Sequence, residues 1–353
     1  MKIGISSNAL KHSGGLERYA MDLVRGLAAR GHRPAFFARK FDLAVPECQL
    51  VDRYRINVSF LPGKWRDAWF STQLAALRKR ADVDVLIGCN RVDSSEIAIC
   101  GGTHRGFLRA TGRPMRRSDR WQIELESRQY ERSRVIVAHS DLMRAELLEL
   151  YNVDDAKIRV LYPPVDGARF SPVDDAARAA LRASYGFGEH ETVLLFPSSS
   201  HDRKGLPLIE SVVNALDLPV VVAVAGRPPE RTSAHVRYIG YVKDLENAYR
   251  AADYAILASK YEPFGLVGIE SAMCGTPVIL SSNIGCCDAI ADAAKHVFRP
   301  GDAADLRRVI EELVAGCKRR VTPADGAAIL YDASVDAHVG QLLSLAADIV
   351  AAR

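Results

Sequence analysis

The sequence predicts an α/β protein built from two doubly wound domains, and three observations support this fold class. Short apolar runs rich in β-branched residues alternate with amphipathic helical stretches along the whole chain. Continuous apolar runs such as Val220–Val224 indicate strands covered on both faces, as in a parallel sheet flanked by helices. The length of 353 residues exceeds one typical domain and fits two. The repeated strand–helix–strand series therefore favours two sheets over one very wide sheet.

The alternation of strands and helices can be followed from the first residues onward. After the first strand, apolar residues recur at helical spacing from Leu16 to Leu27, and Gly31 stands where a helix commonly ends. In the first half the predicted strands are Lys2–Ser6, Pro34–Ala38, Tyr54–Phe60, Val83–Gly88, Glu96–Cys100, Arg134–Ala138 and Ile158–Tyr162. In the second half they are Thr192–Phe196, Pro219–Ala225, Val236–Ile239, Tyr254–Ala258, Pro277–Leu280 and His296–Phe298.

The join between the domains is expected near Tyr162–Asp166, because Pro163 and Pro164 cannot continue the preceding strand. This divides the chain into an N-terminal domain of residues 1–163 and a C-terminal domain of residues 164–334. Residues 335–353 read as a final helix with one apolar face. That face needs a surface to cover, and the N-terminal domain is a candidate.

Composition narrows the class of protein further. The apolar and charged fractions, 48% and 25%, are those of a globular domain, and no apolar stretch is long enough for a membrane span. The first strand begins without a signal peptide, and seven scattered cysteines form no disulfide or zinc pattern, so we expect a cytoplasmic protein. The net charge of +4 is mild, but arginines cluster between Arg105 and Arg120. This cluster is either a solvated basic face or a surface for acidic substrates or anionic lipid.

Candidate ligand-binding loops follow the first strand of each half, because doubly wound sheets bind ligands at the carboxyl ends of their strands. Gly14 and Gly15 precede the first helix, where backbone N–H groups can bind an anion, although paired glycines also serve ordinary turns. In the second half, Arg203, Lys204 and Gly205 lie between a strand and a helix. They form either a diphosphate clamp or a solvated charged turn.

A third loop carries two carboxylates. Glu262 follows the predicted strand Tyr254–Ala258, and Glu270 lies one to two turns into an apolar helix that begins near Gly265. Both carboxylates could accept hydrogen bonds from sugar hydroxyls, with free N–H groups at the start of the helix between them. The alternative is a buried structural Glu270 and a surface Glu262. A buried glutamate needs hydrogen-bond partners, which favours a functional role.

These motifs, in this order, resemble the family 4 glycosyltransferases over nearly the whole chain. Glu262 and Glu270, with seven residues between them, resemble the E-x7-E signature of the family. The segments Gly14–Arg18, Arg203–Gly205 and Ala272–Val278 are similar to its first glycine loop, its phosphate-binding loop and the run after the second glutamate. The resemblance implies the GT-B fold, in which two Rossmann-like domains face each other across a cleft. It also implies retention of anomeric configuration.

The resemblance assigns a role to individual residues. Arg203 and Lys204 would bind the diphosphate, Glu270 the ribose, and Glu262 the transferred sugar together with the backbone of Phe264, Gly265 and Leu266. His104 would lie near the 6-hydroxyl of that sugar, and Gly15 would contribute to donor binding. Gly226, Tyr241 and Val242 would lie around the nucleobase. Catalysis is thus assigned to Glu262, Arg203, Lys204 and His104.

The chain departs from the family pattern at two places. Pro163–Asp166 replaces the usual interdomain Asn-Gly-Val-Asp, and Gly285–Asp288 replaces a Gly-Gly-x-x-Glu region that contacts the donor. Asp82–Asp84 is similar to the metal-binding D-x-D of another glycosyltransferase fold. It precedes a strand, however, which predicts a solvated turn at the amino edge of the sheet, away from the ligands. We therefore expect no metal and no cofactor.

The layout is most similar to that of lipopolysaccharide core glucosyltransferases. The resemblance implies transfer of a hexose, glucose from UDP, to a glycolipid or oligosaccharide hydroxyl in lipopolysaccharide core or cell-surface glycan synthesis. The alternatives are a GT-B epimerase of nucleotide sugars, a non-catalytic nucleotide-sugar sensor and a transferase to a soluble sugar. Basic and aromatic residues interleave near Lys64–Phe70, as in segments that bind membranes at the surface. With Arg105, Arg109, Arg113, Arg116 and Arg117 they suggest acceptor binding at the anionic inner face of the plasma membrane, without nucleic-acid binding.

Overall fold

A computed structural model describes residues 1–12, 14–316, 320–321 and 327–353 of the chain, with Lys64 described by its backbone alone. Ser13 of the first glycine loop and the side chain of Lys64 thus lie outside the described residues. The chain divides into two compact units. The N-terminal unit comprises Met1–Pro164 and Ala333–Arg353, and the C-terminal unit comprises Val165–Asp332.

The N-terminal unit is built on a seven-stranded parallel sheet. Its strands and a small two-stranded sheet are β1 Ile3–Ser6, β2 Ala9–Leu10, β3 Ala35–Ala38, β4 Lys40–Phe41, β5 Asp52–Arg55, β6 Val85–Gly88, β7 Ile97–Cys100, β8 Val135–Ala138 and β9 Ile158–Val160. The helices are α1 Gly15–Ala29, α2 Arg66–Arg80, α3 His104–Thr111, α4 Arg117–Arg132 and α5 Asp141–Tyr151. The order of the main sheet is β5-β3-β1-β6-β7-β8-β9, with β2 and β4 paired separately. Strand order reverses between β1 and β6, the position at which such sheets bind ligands.

Alternating side chains of this sheet enter two different cores. Phe36 of β3 belongs to a buried cluster with Leu23 of α1, whereas the next residue, Phe37, packs in a second cluster with Phe70 of α2. Successive strand residues point to opposite faces, so an apolar run supplies both cores at once. This arrangement confirms the predicted parallel sheet covered on both faces.

The C-terminal unit contains a second parallel sheet of six strands. Its strands are β10 Thr192–Ser198, β11 Val220–Gly226, β12 Val236–Tyr238, β13 Tyr254–Leu257, β14 Val278–Ser281 and β15 Lys295–Phe298. Its helices are α6 Asp175–Ser184, α7 His201–Lys204, α8 Leu206–Val213, α9 Leu245–Ala251, α10 Leu266–Met273 and α11 Ala303–Ala315. The order is β12-β11-β10-β13-β14-β15, so this sheet reverses between β10 and β13.

The final helix, α12 (Val335–Ala351), belongs to the N-terminal unit and packs against α1. A Cβ atom at Gly26 of α1 would lie 2.6 Å from a methyl carbon of Val339, so glycine is needed for this close approach. Arg30 Nε also donates to Asp336 Oδ1 at 2.8 Å. Within the described ranges, none of the helices combines the length and apolar character needed to cross a lipid bilayer.

One predicted strand is much shorter than expected. The run Tyr54–Phe60 predicts a strand, but β5 ends at Arg55. Ile56 and Val58 still reach the core beside Phe70, and the backbone leaves the sheet because the Asn57 side chain accepts the N–H of Ser59 at 3.0 Å. Such a local side-chain bond competes with strand pairing.

Candidate active site

The loop after β10 is fixed against the end of β13. The N–H of Ala258 donates to Lys204 O at 3.3 Å, and the N–H of Lys260 donates to Arg203 O at 2.9 Å. Gly205 has φ +84°, and a Cβ atom there would lie 2.1 Å from the carbonyl oxygen of Ala258. Only glycine combines this left-handed backbone with so close an approach. The sequence therefore places Arg203 and Lys204 directly beside the segment that carries Glu262.

Arg203 and Glu262, predicted from separate loops, contact each other. Arg203 Nη1 donates to Glu262 Oε2 at 3.1 Å and to the carbonyl oxygen of Tyr261 at 2.7 Å. The two side chains are 31% and 17% exposed, so both can be reached from solvent. A guanidinium and a carboxylate at one sheet edge can bind a phosphate and a sugar hydroxyl, respectively.

Lys204 is the more buried of the two cations. Its ammonium Nζ donates to the carbonyl oxygen of Pro197 at 3.0 Å. Burial lowers the pKa of Lys204 below its ordinary value, and the Glu262 carboxylate partly offsets this effect. An anion bound beside Nζ would stabilise the charged form further.

The helix α10 begins at this same edge. Gly265 precedes it with φ +95°, and a Cβ atom there would lie 2.9 Å from Ile284 Cγ2 and 3.3 Å from Cys286 Sγ. The N–H of Gly285 donates to the carbonyl oxygen of Glu262 at 3.1 Å, which ties the loop to the segment after β14. The start of α10, predicted near Gly265, is therefore confirmed, and its first N–H groups lie next to Glu262 in the chain.

The two glutamates of the E-x7-E pair occupy different environments. Glu270 lies in the second turn of α10 and is 3% exposed. The hydroxyl of Tyr249, itself fully buried, donates to Glu270 Oε2 at 3.0 Å. Glu262 is half-buried in the loop. The buried carboxylate thus has the hydrogen-bond partner that its position demands.

The predicted nucleobase residues lie beside the end of β11. Gly226, with φ +111°, closes on β10 so tightly that a Cβ atom would lie 2.6 Å from Ser198 O. Tyr241 is 81% exposed, and Val242 is half-buried. The exposed tyrosine ring could stack on a planar base, and the glycine and valine leave room for the base beside the backbone.

His201 is a residue to which the sequence assigned no role. Its Nδ1 lies 3.0 Å from Ser198 Oγ and its Nε2 lies 3.0 Å from the carbonyl oxygen of Arg227. Because Nε2 faces a carbonyl, it carries the proton and Nδ1 accepts from the serine. His201 therefore connects the phosphate loop to the loop after β11. Its position in the sequence, directly before Asp202 and Arg203, is the signal from which a role in the phosphate loop could have been predicted.

In the N-terminal unit, Gly15 and His104 both begin helices at the carboxyl ends of strands. Gly14 precedes α1 in an extended conformation, and a Cβ atom at Gly15 would meet no atom of the described chain within 4 Å. The space beside Gly15 is therefore open among the described residues. His104 begins α3, where its Nε2 lies 2.9 Å from Asp119 Oδ1 and its N–H donates to Glu126 Oε2 at 2.8 Å.

With this geometry in place, comparison with known proteins identifies the family. Residues 13–169 match the model of Glycosyltransferase Family 4, and residues 178–327 match that of Glycosyl transferases group 1. A probable transglycosylase of Burkholderia thailandensis is 66% identical over 353 residues, covering 99% of this chain and 97% of that protein. The chain belongs to the family 4 glycosyltransferases. The predicted family resemblance is confirmed.

Solved structures place this glycosyltransferase in the GT-B fold class. WaaG, a glycosyltransferase involved in lipopolysaccharide biosynthesis, has a TM-score of 0.77 at 18% identity, covering 99% of this chain and 98% of that chain. HepE of Anabaena, solved in complex with UDP and glucose, has a TM-score of 0.75 at 14% identity, covering 99% and 100%. The predicted α/β fold class is therefore confirmed.

The arginine-rich stretch of this glycosyltransferase is more ordered than the sequence indicates. Its residues show no clear helical period, but they form nearly all of α3 and the start of α4. A short connection of residues 112–116 joins these helices and begins at Gly112, which has φ +62°. The guanidinium carbon of Arg105 lies 5.1 Å from the ring centre of Tyr151. Two further arginines form ion pairs, Arg109 with Glu149 at 2.6 Å and Arg113 with Asp119 at 2.7 Å. Arg116 and Arg117 lie exposed at the start of α4.

Acidic residues of the glycosyltransferase show no metal-binding arrangement within the part of the chain that the structure describes. Asp84 lies at the amino end of β6, where its Oδ2 accepts the N–H of Lys2 at 2.7 Å. Asp82 adopts φ +52° in the same turn. The Asp82–Asp84 motif thus lies at the opposite end of the strand from the candidate ligand loops.

Proposed function

We propose that this glycosyltransferase moves glucose from UDP-glucose to a hydroxyl of a glycolipid or oligosaccharide, with retention of configuration. The observation that carries the proposal is the contact of Arg203 with Glu262, beside Lys204, where the C-terminal sheet reverses. This edge combines cations, a carboxylate and a helix N-terminus. Those are the groups that a nucleoside diphosphate sugar requires.

The diphosphate is proposed to bind Arg203, Lys204 and the first N–H groups of α10. The half-buried Lys204 becomes more stable as an ammonium when phosphate oxygens approach it. The bond between the anomeric carbon and the diphosphate breaks as the acceptor hydroxyl bonds to that carbon, and the departing phosphate oxygen takes the proton of the hydroxyl. The three groups stabilise the growing charge of the diphosphate without a metal ion. Bound donor also gives Arg203 a stronger acceptor than Glu262, which frees that carboxylate for the sugar.

The remaining donor contacts are proposed from the family resemblance. Glu262 and the backbone of Phe264, Gly265 and Leu266 bind the transferred sugar, together with His104. Glu270, held by Tyr249, binds the ribose hydroxyls. Gly226, Tyr241 and Val242 surround the nucleobase, and Gly15 offers an open N-terminus of α1 to the phosphates. Support for a UDP-sugar comes from HepE of Anabaena, whose structure contains UDP and glucose.

The product assay tests the function directly. Purified protein is incubated with UDP-glucose and lipopolysaccharide-core acceptors, with EDTA in a parallel reaction, and products are identified by mass spectrometry. We expect a glucosylated acceptor at equal rates with and without EDTA. Release of UDP with free sugar, or conversion of UDP-glucose to an isomer, would instead favour hydrolysis or the epimerase alternative. Glucosylation of soluble sugars alone would favour the soluble-acceptor alternative.

Single substitutions should separate the roles of the binding residues. Arg203→Ala should weaken UDP binding by about 2–4 kcal/mol, because it removes a partly buried phosphate contact. Glu270→Gln should also weaken UDP binding. Glu262→Gln should leave UDP affinity nearly unchanged and lower turnover of UDP-glucose. Titration calorimetry with UDP measures all three. Lys260→Ala is the matched control, because Lys260 pairs with exposed Asp202 in the same loop region and should bind UDP normally.

Equal losses of UDP affinity in the Glu262 and Glu270 variants would contradict the division of roles. Normal affinity after Arg203→Ala would contradict the phosphate site itself.

The acceptor is proposed to be presented at an anionic membrane surface by an aromatic patch of the N-terminal unit. Phe60, Trp65, Trp69 and Trp121 are 62%, 56%, 39% and 46% exposed. The rings of Phe60 and Trp69 lie 5.7 Å apart, and those of Trp65 and Trp121 lie 6.3 Å apart. Exposed Arg116, Arg117 and Arg120 flank Trp121 in the chain. Clustered aromatic rings beside cations suit the interface of an anionic bilayer.

Vesicle binding should depend on these cations. Each arginine near an anionic surface contributes about 1 kcal/mol, so Arg116→Glu, Arg117→Glu and Arg120→Glu together should weaken binding about 100-fold or more. Arg113 is left intact because it holds Asp119. All three tryptophans of the chain lie in the aromatic patch, so their fluorescence should shift to shorter wavelength with anionic vesicles. Changing Arg299, Arg307 and Arg308 of the C-terminal unit to Glu matches the net charge and should leave binding intact.

The absence of binding between the wild-type protein and anionic vesicles would refute membrane docking. Equal losses in the two triple variants would show that net charge, rather than this surface, governs binding.

A further inference from the structure

We propose that Asp119 is a positioning residue that fixes the ring of His104, so that its free nitrogen accepts a hydrogen bond from a hydroxyl of the donor sugar. The inference rests on the proposed function for the identity of the donor. Its structural basis lies entirely in the N-terminal unit, in contacts that neither the motifs nor the family resemblance assign.

Asp119 is buried and accepts three hydrogen bonds. Its Oδ1 accepts from His104 Nε2 at 2.9 Å and from Arg113 Nη2 at 2.7 Å, and its Oδ2 accepts the N–H of Arg116 at 2.6 Å. These bonds, led by that of Arg113, hold the pKa of Asp119 well below its ordinary value. An ionised carboxylate can only accept hydrogen bonds. The proton on the neutral imidazole must therefore be on Nε2.

The tautomer follows from this arrangement. With hydrogen on Nε2, the Nδ1 atom of His104 is the acceptor of the ring. A hydroxyl can donate to it, whereas a deoxy sugar offers no donor. Asp119 thus selects for a sugar with a hydroxyl at the position that faces His104, although Asp119 itself does not contact the sugar.

The main chain of His104 is fixed by a second carboxylate of the same helix. Glu126, 2% exposed, accepts the N–H of His104 at 2.8 Å and is paired with Arg91 at 3.0 Å. Asp119 and Glu126 are two turns apart on α4 and therefore lie on one face of it. This face of α4 holds both the backbone and the ring of His104. A site that must orient a ring within a few tenths of an ångström needs such double support.

Asp119→Asn tests the proposal with little change in shape. With the amide oxygen at the position of Oδ2, it can still accept from Arg116 N–H, while the NH2 at the position of Oδ1 can donate to His104 Nε2 and reverse the tautomer. Arg113, which shares Oδ1 with His104 in the wild type, then loses its acceptor. We expect kcat/KM for UDP-glucose to fall about 10- to 100-fold, as for the loss of one hydrogen bond to the substrate. The rate with UDP-6-deoxyglucose should change little, because this donor lacks the 6-hydroxyl that the family resemblance places near His104. In a His104→Ala background, Asp119→Asn should have no further effect, because the ring it orients is gone.

Asp155→Asn is the matched control, since it breaks an exposed carboxylate–Arg144 pair in the same unit and should leave both rates unchanged. Thermal unfolding of each variant separates loss of function from loss of fold. Equal losses with both donors, or additive losses of the two substitutions, would refute the positioning role.

The tautomer can be measured without any turnover. In 15N NMR spectra, His104 of the wild type should carry its proton on Nε2, and Asp119→Asn should move it to Nδ1. A wild-type proton on Nδ1 would overturn the proposal even if glucosyl transfer is confirmed. The expected tautomer in an inactive protein would leave Asp119 as the positioning residue and refute only the proposed donor.

Discussion

Replacing Gly205 with alanine is expected to cost about 2–4 kcal/mol of unfolding free energy in the C-terminal unit and to abolish tight UDP binding. The left-handed backbone of Gly205 alone accounts for about 1 kcal/mol of that cost. The rest arises because the new Cβ atom would lie 2.1 Å from the Ala258 carbonyl oxygen, which is backbone and cannot rotate away. Separating the two loops would also move Arg203 and Lys204 away from Glu262.

Gly186→Ala provides the matched control for this substitution. Gly186 has φ +67° in the same unit, but a Cβ atom there would meet no atom of the described residues within 4 Å. We expect it to cost only about 1 kcal/mol, with normal UDP affinity. Circular dichroism during urea unfolding is the measurement, because the tryptophans all lie in the other unit. Equal costs for the two substitutions would contradict the steric part of the explanation.

Acid should destabilise the N-terminal unit through two buried histidines. Burial lowers the pKa of His139 to about 3 and that of His338 to about 4, from ordinary values of 6.5. His338 donates from Nδ1 to the carbonyl oxygen of Tyr162 at 3.0 Å, so its Nε2 accepts from the Tyr19 hydroxyl at 2.8 Å. A second proton would break that bond. The Nε2 atom of His139 is buried without a hydrogen-bond partner among the residues that the structure describes.

The sign follows from proton uptake on unfolding. Below pH 6.5 these histidines bind protons in the unfolded chain but not in the folded protein. The unfolding free energy therefore has its full value above pH 6.5 and falls as the pH drops toward 4. At pH 5 each histidine lowers the unfolding free energy by about 2 kcal/mol relative to its value at pH 8, and the pair lowers it by about 4 kcal/mol. Tryptophan fluorescence during urea unfolding at pH 8 and pH 5 measures the loss.

Variants of these histidines should reduce the pH dependence itself. His338→Gln and His139→Leu should each remove about half of the difference between pH 8 and pH 5, whatever their stability at pH 8. His12→Gln, which alters an exposed histidine of the same unit, should keep the full difference. An unchanged pH dependence in both core variants would exclude these histidines as its source.

The family resemblance rests on local sequence patterns, and for this reason the amino-acid sequence suffices to detect it. The apolar run of β11, the glycines at Gly205 and Gly265 and the spacing of Glu262 and Glu270 each reflect requirements of neighbouring residues. Strand burial, left-handed turns and helix starts depend on a few consecutive residues. The strands therefore lie close to their predicted positions, except where Asn57 ends β5 early.

Local sequence patterns are sufficient to predict the α/β class, the family and the loops that carry charge. They do not show which charged groups meet, and the folded structure brings together Arg203 with Glu262, 59 residues away, and Asp119 with both His104 and Arg113. It also brought Trp65 and Trp121 together and gave Arg105, Arg109 and Arg113 intramolecular partners. Periodicity records which face of an element is buried, but not which distant element covers it. Partners far apart in the chain are chosen by the packing of whole strands and helices, and no local pattern encodes that choice.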